Sequence, residues 1–438
     1  MRATLLLLFL LFSASHMWGQ TAYTSYFTGN AVDKITTPLG GVCLMGGATE
    51  NDEAMKWFLN RCNGGDVLVL RASGADGYND YFLNQLGITL NSVETIVFND
   101  AAAASEAYIH QKIRQAEGIW LAGGDQWKYI SYWRNTPIDS LLNKAVNERK
   151  VVIGGTSAGM AVQGKYYFSA QNGTVTSAVA LANPYDNKMT LDSARFIKNK
   201  FLENTITDTH YDNPDRRGRQ LAFMARMATD WGATNVKGIA CDEYTAVCID
   251  ASGTARVFGN YPTNDDYAYF LQTNCELSSK NPENCTVGTP LSWNLEGKAV
   301  KVYKINGDNL GSSKFDLSDW KTATGGVWEN WSAANGVLQT SPASAPNCVV
   351  ASLETPALNS ISIYPNPVRN GFLTLENDAL DVEKIAIFDL QGSLLEAFDT
   401  YKSDPTIRID VSKLAAGYYF LQIRASGKAT TTVKISID

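Results

Sequence analysis

Short apolar runs alternate with stretches of helical periodicity in the first third of the chain, and this alternation most constrains the fold. The apolar runs that predict buried strands are residues 42–45, 66–70, 95–98, 118–121 and 151–154. The helical patterns between them are residues 53–61, 78–86, 105–116 and 138–148. Such an alternation predicts an α/β fold, in which helices cover both faces of a parallel sheet. Ligands of these folds bind beyond the carboxyl ends of the strands.

Two glycine-rich segments follow predicted strands at that edge. Residues 122–126 follow the strand 118–121, and Gly155-Thr156-Ser157-Ala158-Gly159 follows the strand that ends near residue 154. The second segment matches Gly-x-Ser-x-Gly, the pattern of a nucleophile elbow. Small neighbours let Ser157 occupy a tight strand-to-helix turn, and the amide of Ala158 then points at a developing oxyanion. Because glycines after a strand also form ordinary turns, the motif alone does not establish an enzyme.

A serine nucleophile needs a base, and the chain has three histidines: His16, His110 and His210. His16 lies in an N-terminal segment that we expect to be removed. His110 stands beside the apolar stripe of a predicted helix, a position typical of structural or solvated histidines. His210 has polar neighbours on a predicted loop, so it is the candidate base. So few imidazoles also exclude any mechanism that needs a histidine cluster.

The third member of a triad is an acid, and the residues leave two candidates. Residues 238–241 predict a buried strand that ends at Asp242 and Glu243. In an extended backbone one of two adjacent side chains faces the site and the other faces away, and the sequence does not say which. The resulting order of serine, histidine, acid differs from the order in α/β-hydrolases, where the histidine comes last. A lipase or esterase is therefore disfavoured.

The N-terminal residues have the pattern of a secretory signal peptide, expected over residues 1–19. A single Arg2 precedes the apolar run 5–12, which is too short to span a bilayer. Of the seven cysteines, none has metal-ligand spacing with a histidine, so we expect no metal and no cofactor. Export permits disulfides, and we expect Cys275 to pair with Cys285 in a polar loop. A net charge of −7 without a basic tract argues against a nucleic-acid partner.

The composition changes near Pro342, where small residues and prolines predict a linker over residues 342–359. Short alternating runs between turn residues then predict a small all-β sandwich over residues 360–438. Three segments of this tail resemble the C-terminal sorting domain of the type IX secretion system of Bacteroidetes: residues 363–367, 387–392 and 414–419. The resemblance implies export through the periplasm, with the type IX machinery as partner, to the exterior or the cell surface.

The central domain, expected over residues 20–341, resembles the cyanophycinase and dipeptidase E family of serine peptidases. The matching segments, in the order of the family, are residues 44–47, 123–126, 155–159, 208–211 and 242–246. The family is related in fold to class I glutamine amidotransferases, so the resemblance implies a flavodoxin-like sheet. It also implies Ser157 as nucleophile, His210 as base and Glu243 as acid. The residues expected to bind substrate are Gly124, Asp125, Gln126, Ala158, Asp208, Arg216 and Arg219.

The activity that this resemblance implies is hydrolysis of β-aspartyl bonds of the Asp-Arg type, in cyanophycin or a similar peptide or polymer. Pro214 stands where the cyanophycinase pattern has its first arginine after the histidine, so the substrate need not be cyanophycin itself. The alternative is an exported binding protein without turnover, which recognises an acidic peptide or polymer. A glutamine amidotransferase is disfavoured, because a serine occupies the position of the nucleophilic cysteine. We also consider that the protein forms a homodimer.

Overall fold

The structure is a computed structural model that describes residues 21–193, 196–348, 361–377, 382–399, 406–425 and 430–438. The chain divides into two compact units, Met1–Asn347 and Cys348–Asp438. The expected signal peptide, including His16, lies outside the described residues, as do residues 349–359 of the expected linker. The domain boundaries drawn from the sequence stay predictions.

The first unit contains eighteen strands and eight α-helices within the described residues. Its strands are β1 (Tyr23–Gly29), β2 (Val42–Met45), β3 (Asp66–Arg71), β4 (Ser92–Phe98), β5 (Gly118–Leu121), β6 (Val152–Thr156), β7 (Tyr167–Phe168), β8 (Leu191–Asp192), β9 (Thr205–Asp208), β10 (Lys237–Cys241), β11 (Ala246–Ile249), β12 (Thr254–Phe258), β13 (Tyr267–Thr273), β14 (Val300–Asn306), β15 (Lys314–Asp316), β16 (Ala323–Thr324), β17 (Gly326–Ala334) and β18 (Val337–Pro342). Its helices are α1 (Asp52–Asn60), α2 (Gly77–Asp80), α3 (Ala107–Gln115), α4 (Gln126–Trp133), α5 (Pro137–Asn147), α6 (Ala158–Ala161), α7 (Ser177–Ala182) and α8 (Arg217–Trp231). A π-helical turn at Tyr81–Gln85 follows α2, and single 3₁₀ turns lie at Ala101–Ser105, Lys200–Leu202 and Leu295–Gly297.

The larger sheet has ten strands in the order β1-β4-β3-β5-β6-β2-β11-β12-β15-β16. The five strands from β4 to β2 pair in parallel, as the alternation of strands and helices predicts. The sheet as a whole is mixed, however. β1 pairs antiparallel with β4, and β11 pairs antiparallel with β2 and with β12, to which only a short turn joins it. The expectation of a purely parallel sheet is thus too simple.

Helices cover both faces of the parallel strands because alternate side chains point to opposite sides. Cys43 and Met45 of β2 belong to a cluster with Phe58 of α1 on one face. Val42 and Leu44 belong to a second cluster, to which α3, α4 and α5 contribute on the other face. The predicted α/β class is confirmed at this level, as a mixed sheet with helices.

A second, six-stranded sheet has the order β18-β17-β14-β13-β10-β9. Its strands β9 and β10 are parallel, so the segments that follow them leave the same edge of the sheet. The long helix α8 packs against this sheet and is buried on all sides over residues 218–225, with Leu221 and Met224 in the cluster. This sheet therefore carries the segments of His210 and Glu243, whereas the larger sheet carries Ser157.

The second unit consists of strands alone within its described residues, which confirms the predicted all-β tail. Its strands are β19 (Ile361–Tyr364), β20 (Phe372–Asn377), β21 (Val382–Phe388), β22 (Leu394–Asp399), β23 (Thr406–Asp410), β24 (Gly417–Ala425) and β25 (Thr430–Ile437). They form two sheets, β19-β20-β23 and β22-β21-β24-β25. Both sheets contribute to one core, for example Leu373 from the first and Ile423 from the second.

The expected pairing of Cys275 with Cys285 is wrong. Cys275 and Cys348 are the disulfide-bonded cysteines of the described chain, and Cys285 is a free thiol. Cys285 is buried in the core that includes α8, with Thr229 as a hydrogen-bonding neighbour. Because the Cys285 side chain packs into that core, it does not face Cys275, the cysteine that is nearest to it in the sequence.

None of the helices in the described ranges is long and apolar enough to cross a membrane.

The fold makes a prediction about Gly159, where α6 crosses β5. A Cβ at this position would overlap the carbonyl oxygen of Leu121. We expect Gly159→Ala to lower the free energy of unfolding of the first unit by about 1–3 kcal/mol or more, because backbone must shift to admit the methyl group. Urea denaturation followed by tryptophan fluorescence measures this unit alone, since all ten tryptophans precede residue 332.

The matched control is Gly77→Ala at the start of α2, where an added Cβ has nothing within 4 Å. Its midpoint should stay at the wild-type value or rise slightly. Equal urea midpoints for the two variants would contradict the close crossing of α6 and β5.

Candidate active site

Ser157 occupies a strained turn between β6 and α6. Its backbone has φ 51° and ψ −115°, a conformation that is costly for any residue except glycine. Its N–H donates to the Met45 carbonyl at 3.1 Å, which ties the turn to the end of β2. Gly155 and Gly159 approach each other so closely that a Cβ on Gly155 would lie 2.6 Å from the Gly159 carbonyl carbon. The predicted elbow is therefore held in place by close backbone contacts.

His210 follows β9 and connects Ser157 to Glu243 by hydrogen bonds. Its Nε2 lies 2.8 Å from Ser157 Oγ, and its Nδ1 lies 2.6 Å from Glu243 Oε1. A carboxylate at Nδ1 favours the tautomer with its proton there, which leaves Nε2 free to accept the hydroxyl proton of Ser157. The structure thus brings the three residues expected to form a triad into one chain of hydrogen bonds.

His110 has a different environment from His210. Its Nε2 hydrogen-bonds the Ala104 carbonyl at 2.8 Å, on the helix α3. This contact agrees with the structural interpretation of His110 and leaves His210 as the described histidine beside Ser157.

Two glycines after β2 support the imidazole, a role that sequence reasoning missed. The His210 N–H donates to the Gly46 carbonyl at 2.8 Å, and His210 itself has a left-handed φ of 46°. A Cβ on Gly47 would overlap the His210 ring, and one on Gly46 would overlap the Asp242 carbonyl. Only a chain without side chains at 46 and 47 allows the ends of the two sheets to come this close.

The two adjacent carboxyl groups have separate environments. Glu243 accepts hydrogen bonds from His210 and from Asn213 Nδ2, the latter at 3.3 Å. The hydrogen bond to His210, and to a smaller extent the one to Asn213, holds the pKa of Glu243 below its usual value. Asp242 is buried and accepts from the Tyr267 N–H at 3.1 Å. Burial, with the nearby Asp212 charge, raises the pKa of Asp242 to about 8. The sequence did not distinguish Asp242 from Glu243 as the acid, and in the structure Glu243 is the one that lies beside His210.

Backbone amides are available beside the Ser157 hydroxyl. Ala158 is the first residue of α6, so its N–H has no acceptor within the helix. On the other side lies Gly123, where an added Cβ would sit 3.7 Å from Ser157 Cβ, followed by the exposed Gly124. Tyr129 Oη donates to the Ala122 carbonyl at 2.8 Å and contacts the Gly123 carbonyl at 3.1 Å. This tyrosine, which sequence reasoning did not select, holds the glycine turn in place.

The side chains of Asp125 and Gln126 make contacts within the protein. Asp125 caps α4, accepting from the Trp127 N–H at 2.9 Å. Gln126 Nε2 donates to the Phe168 carbonyl at 2.5 Å. Both residues lie directly after the glycine turn, and their expected role in substrate binding stays a prediction.

Asp208 and Arg219, both expected to bind substrate, form a buried ion pair with each other. Arg219 donates from Nε to Asp208 Oδ2 at 2.9 Å and from Nη2 to Oδ1 at 2.5 Å, with each side chain at most 4% exposed. Arg219 also donates to Thr174 and to the Val175 carbonyl. The pair fixes the start of α8 against β9, and a contact with substrate stays a prediction.

Arg216 is half-buried beside these residues and has a less complete set of partners. Its Nη1 donates to the Thr209 carbonyl at 2.8 Å. Burial, together with the positive charge of Arg219, lowers the pKa of Arg216 to about 10. A guanidinium in such a position attracts an anion, and a carboxylate is the anion that it binds in bidentate fashion.

No three His, Cys, Asp or Glu side chains are grouped to hold a metal ion in the parts of the chain that the structure describes.

The buried Asp242 makes the stability depend on pH. The folded protein keeps this carboxyl neutral up to about pH 8, whereas the unfolded chain releases the proton near pH 3.8. Stability therefore falls as pH rises between these values, by up to about 1.4 kcal/mol per pH unit for one proton. Since an amide does not titrate, we expect Asp242→Asn to lose less free energy of unfolding than the wild type between pH 5 and pH 8 in urea denaturation.

The exposed Asp265 provides the control, and Asp265→Asn should follow the wild-type curve. If the wild type and Asp242→Asn give parallel curves across this range, Asp242 is not a neutral buried acid.

Comparison with known proteins identifies two families along the chain. Residues 44–254 match the model of Peptidase family S51, and residues 362–438 match the Secretion system C-terminal sorting domain. Cyanophycinase from Synechococcus elongatus is 26% identical over 231 residues, which cover 50% of this chain and 66% of that protein. Cyanophycinase from Trichormus variabilis is 23% identical over 167 residues, 38% of this chain and 50% of that protein. The chain thus spans less than two thirds of the length of these relatives.

Among solved structures, a peptidase from an acI-B1 Actinobacterium is 14% identical, with a TM-score of 0.37, over 53% of this chain and 91% of that one. A putative Peptidase E protein from Listeria monocytogenes EGD-e is 16% identical, with a TM-score of 0.31, over 50% of this chain and 98% of that one. The sorting domain directs the protein through type IX secretion to the cell surface or the exterior. Residues 44–254 thus match peptidase family S51, and residues 362–438 match a secretion system C-terminal sorting domain.

Proposed function

We propose that this protein is a secreted serine peptidase that hydrolyses β-aspartyl peptide bonds of the Asp-Arg type. The observation that carries the proposal is the continuous hydrogen-bonded chain from Ser157 Oγ through His210 to Glu243. A protein that only bound its ligand would need neither this chain nor the strained backbone of Ser157. The cyanophycinases among its relatives supply the substrate class.

In this mechanism Ser157 Oγ attacks the side-chain carbonyl of the aspartyl residue while His210 Nε2 takes the hydroxyl proton. Glu243 stabilises the imidazolium that forms. The amides of Ala158 and Gly124 stabilise the negative charge on the carbonyl oxygen, and Ala158 adds the N-terminal end of α6. His210 then gives its proton to the leaving amine. A water molecule, activated by the same imidazole, releases the acyl group from Ser157.

Arg216 is the side chain that we propose to select the β-aspartyl linkage. In a short β-aspartyl peptide the aspartyl residue has a free α-carboxylate close to the scissile bond, whereas an ordinary peptide and the aspartate backbone of cyanophycin have none there. The half-buried Arg216 guanidinium, on the loop that follows His210, offers two N–H groups to such a carboxylate. The ion pair of Asp208 and Arg219 supports this loop from below.

The flavodoxin-like arrangement is part of the same proposal. It is supported by the parallel strands β4-β3-β5-β6-β2, with helices on both faces and Ser157 at the carboxyl end of β6. Since Pro214 replaces an arginine of the cyanophycinase pattern, short β-aspartyl peptides are substrates to test beside cyanophycin.

The test compares Ser157→Ala, His210→Ala and His110→Ala for release of arginine from β-aspartyl-arginine peptides and from cyanophycin. We expect the first two variants to lose at least about 10³-fold in kcat, because the triad residues act as one unit. His110→Ala should keep wild-type kcat, since His110 contacts only structural groups among the described residues. Labelling of Ser157 by a fluorophosphonate probe should follow the same order.

Equal turnover by the wild type and Ser157→Ala would overturn the mechanism. Absence of both turnover and probe labelling in the folded wild type would favour the exported binding protein. Labelling without turnover of these substrates would reject the β-aspartyl class but keep the serine hydrolase.

A further inference from the structure

Two free cysteines face each other across the strands that support the active site. Cys43 of β2 and Cys248 of β11 are direct partners in the antiparallel ladder. Their Sγ atoms lie 3.5 Å apart, and both side chains are completely buried in the same cluster. The proposed hydrolytic mechanism uses neither thiol.

The register of the ladder makes this pair suitable for a disulfide. The Gly46 N–H donates to the Thr245 carbonyl at 2.9 Å, so that pair is hydrogen-bonded. Hydrogen-bonded and open pairs alternate along antiparallel strands, which makes Cys43 and Cys248, three positions further on, an open pair. The Cα atoms of an open pair lie about 4.5 Å apart, within the usual disulfide range of about 4.4–6.8 Å. The bond therefore needs rotation of the two side chains and no movement of the strands.

We propose that Cys43 and Cys248 form a disulfide in the exported protein. The oxidant is a protein or small-molecule disulfide of the compartment that the chain crosses. The Cys43 thiolate attacks that disulfide, and the Cys248 thiolate then displaces the oxidant from the mixed disulfide. One S–S bond forms in the protein, one S–S bond breaks in the oxidant, and the oxidant leaves as two thiols with both protons and both electrons.

The burial of the pair fixes when this exchange takes place. Burial raises the pKa of the Cys248 thiol well above its usual value, and only the thiolate reacts. In the closed sheet no oxidant reaches either sulfur, since both side chains have no exposed surface. The bond therefore forms while the chain folds after export, before α1 covers the strands.

Other free thiols near the pair have different neighbours. Cys241 Sγ contacts the Leu44 carbonyl at 3.6 Å and belongs to the cluster on the opposite face of the sheet. Cys62 Sγ contacts the Phe58 carbonyl at 3.7 Å. Neither has a cysteine directly opposite on a neighbouring strand, so Cys43 with Cys248 is the favoured pairing.

The cross-link would join the two strands next to the site. β2 leads into Gly46 and Gly47, which support His210, and β11 begins three residues after Glu243. The covalent loop from residue 43 to residue 248 would contain Ser157, His210 and Glu243. Closing so long a loop restricts the unfolded chain and stabilises the fold. The inference does not depend on the proposed hydrolysis.

The experiment uses the full chain recovered from an oxidising periplasm, denatured without reductant and alkylated. Five thiols of the described chain are free, and a new bond would leave three: Cys62, Cys241 and Cys285. We expect three alkyl groups by intact mass, and a peptide map in which the peptides of Cys43 and Cys248 are joined. The same chain from a reducing cytoplasm, folded and then analysed, should carry alkyl groups on both residues.

Variants show what the bond does. The periplasmic protein should unfold several degrees above the cytoplasmic one. Cys43→Ala should show a smaller difference, because only the contribution of the bonded Cys275 and Cys348 remains. Cys62→Ala, which removes a thiol buried in the same cluster, should keep the full difference. Alkylation of Cys43 and Cys248 in the periplasmic wild type, or a link from either of them to another cysteine, would overturn the proposal.

Discussion

The close approach of the Gly46–Gly47 backbone to His210 and Asp242 is the contact on which the active-site geometry depends. Ser157 belongs to one sheet, whereas His210 and Glu243 follow strands of the other. The two sheets meet at the end of β2, where an added Cβ on Gly47 would overlap the imidazole ring and one on Gly46 would overlap the Asp242 carbonyl. The hydrogen bond from the His210 N–H to Gly46 then fixes the height of the ring above the sheet. The hydrogen-bonded chain of serine, histidine and acid therefore depends on how the two sheets pack as well as on which residues are present.

Conformational strain on both sides of this contact is held by the surrounding structure. Ser157 and His210 both have positive φ values, which cost free energy for residues with a Cβ. Backbone hydrogen bonds to Met45 and Gly46 offset part of that cost, and they come from consecutive residues of one strand end. Below His210, the buried pair of Asp208 and Arg219 fixes the segment that leads into α8. The rigid parts of the site are therefore backbone and buried charge, while Arg216 remains half-exposed beside them.

The sequence predicted the parts of the site that local pattern determines. Ser157 follows from a glycine-spaced motif after a strand, and His210 follows from a count of three histidines. The choice between Asp242 and Glu243 could not be made from the residues, because it depends on which side of the chain turns toward β9. Tyr129, Asn213 and Gly47 were missed for a related reason: each acts through a contact with a distant segment. The antiparallel half of the large sheet was also unforeseen, since a hairpin such as β11–β12 leaves the alternation of strands and helices unchanged.

The partly buried guanidinium of Arg216 has a consequence for the ligand-free protein. In the described chain the one hydrogen bond of its side chain goes to a carbonyl oxygen, and the nearby charges of Asp208, Glu243 and Asp212 act on it without a direct hydrogen bond. A positive charge in a half-desolvated position draws small anions from solution, and these compete with any carboxylate that must later occupy the same place. The apparent affinity for an anionic ligand will therefore depend on the buffer salt itself. Phosphate or sulfate will weaken it more than chloride at equal ionic strength, because their oxygens match the paired N–H groups of arginine.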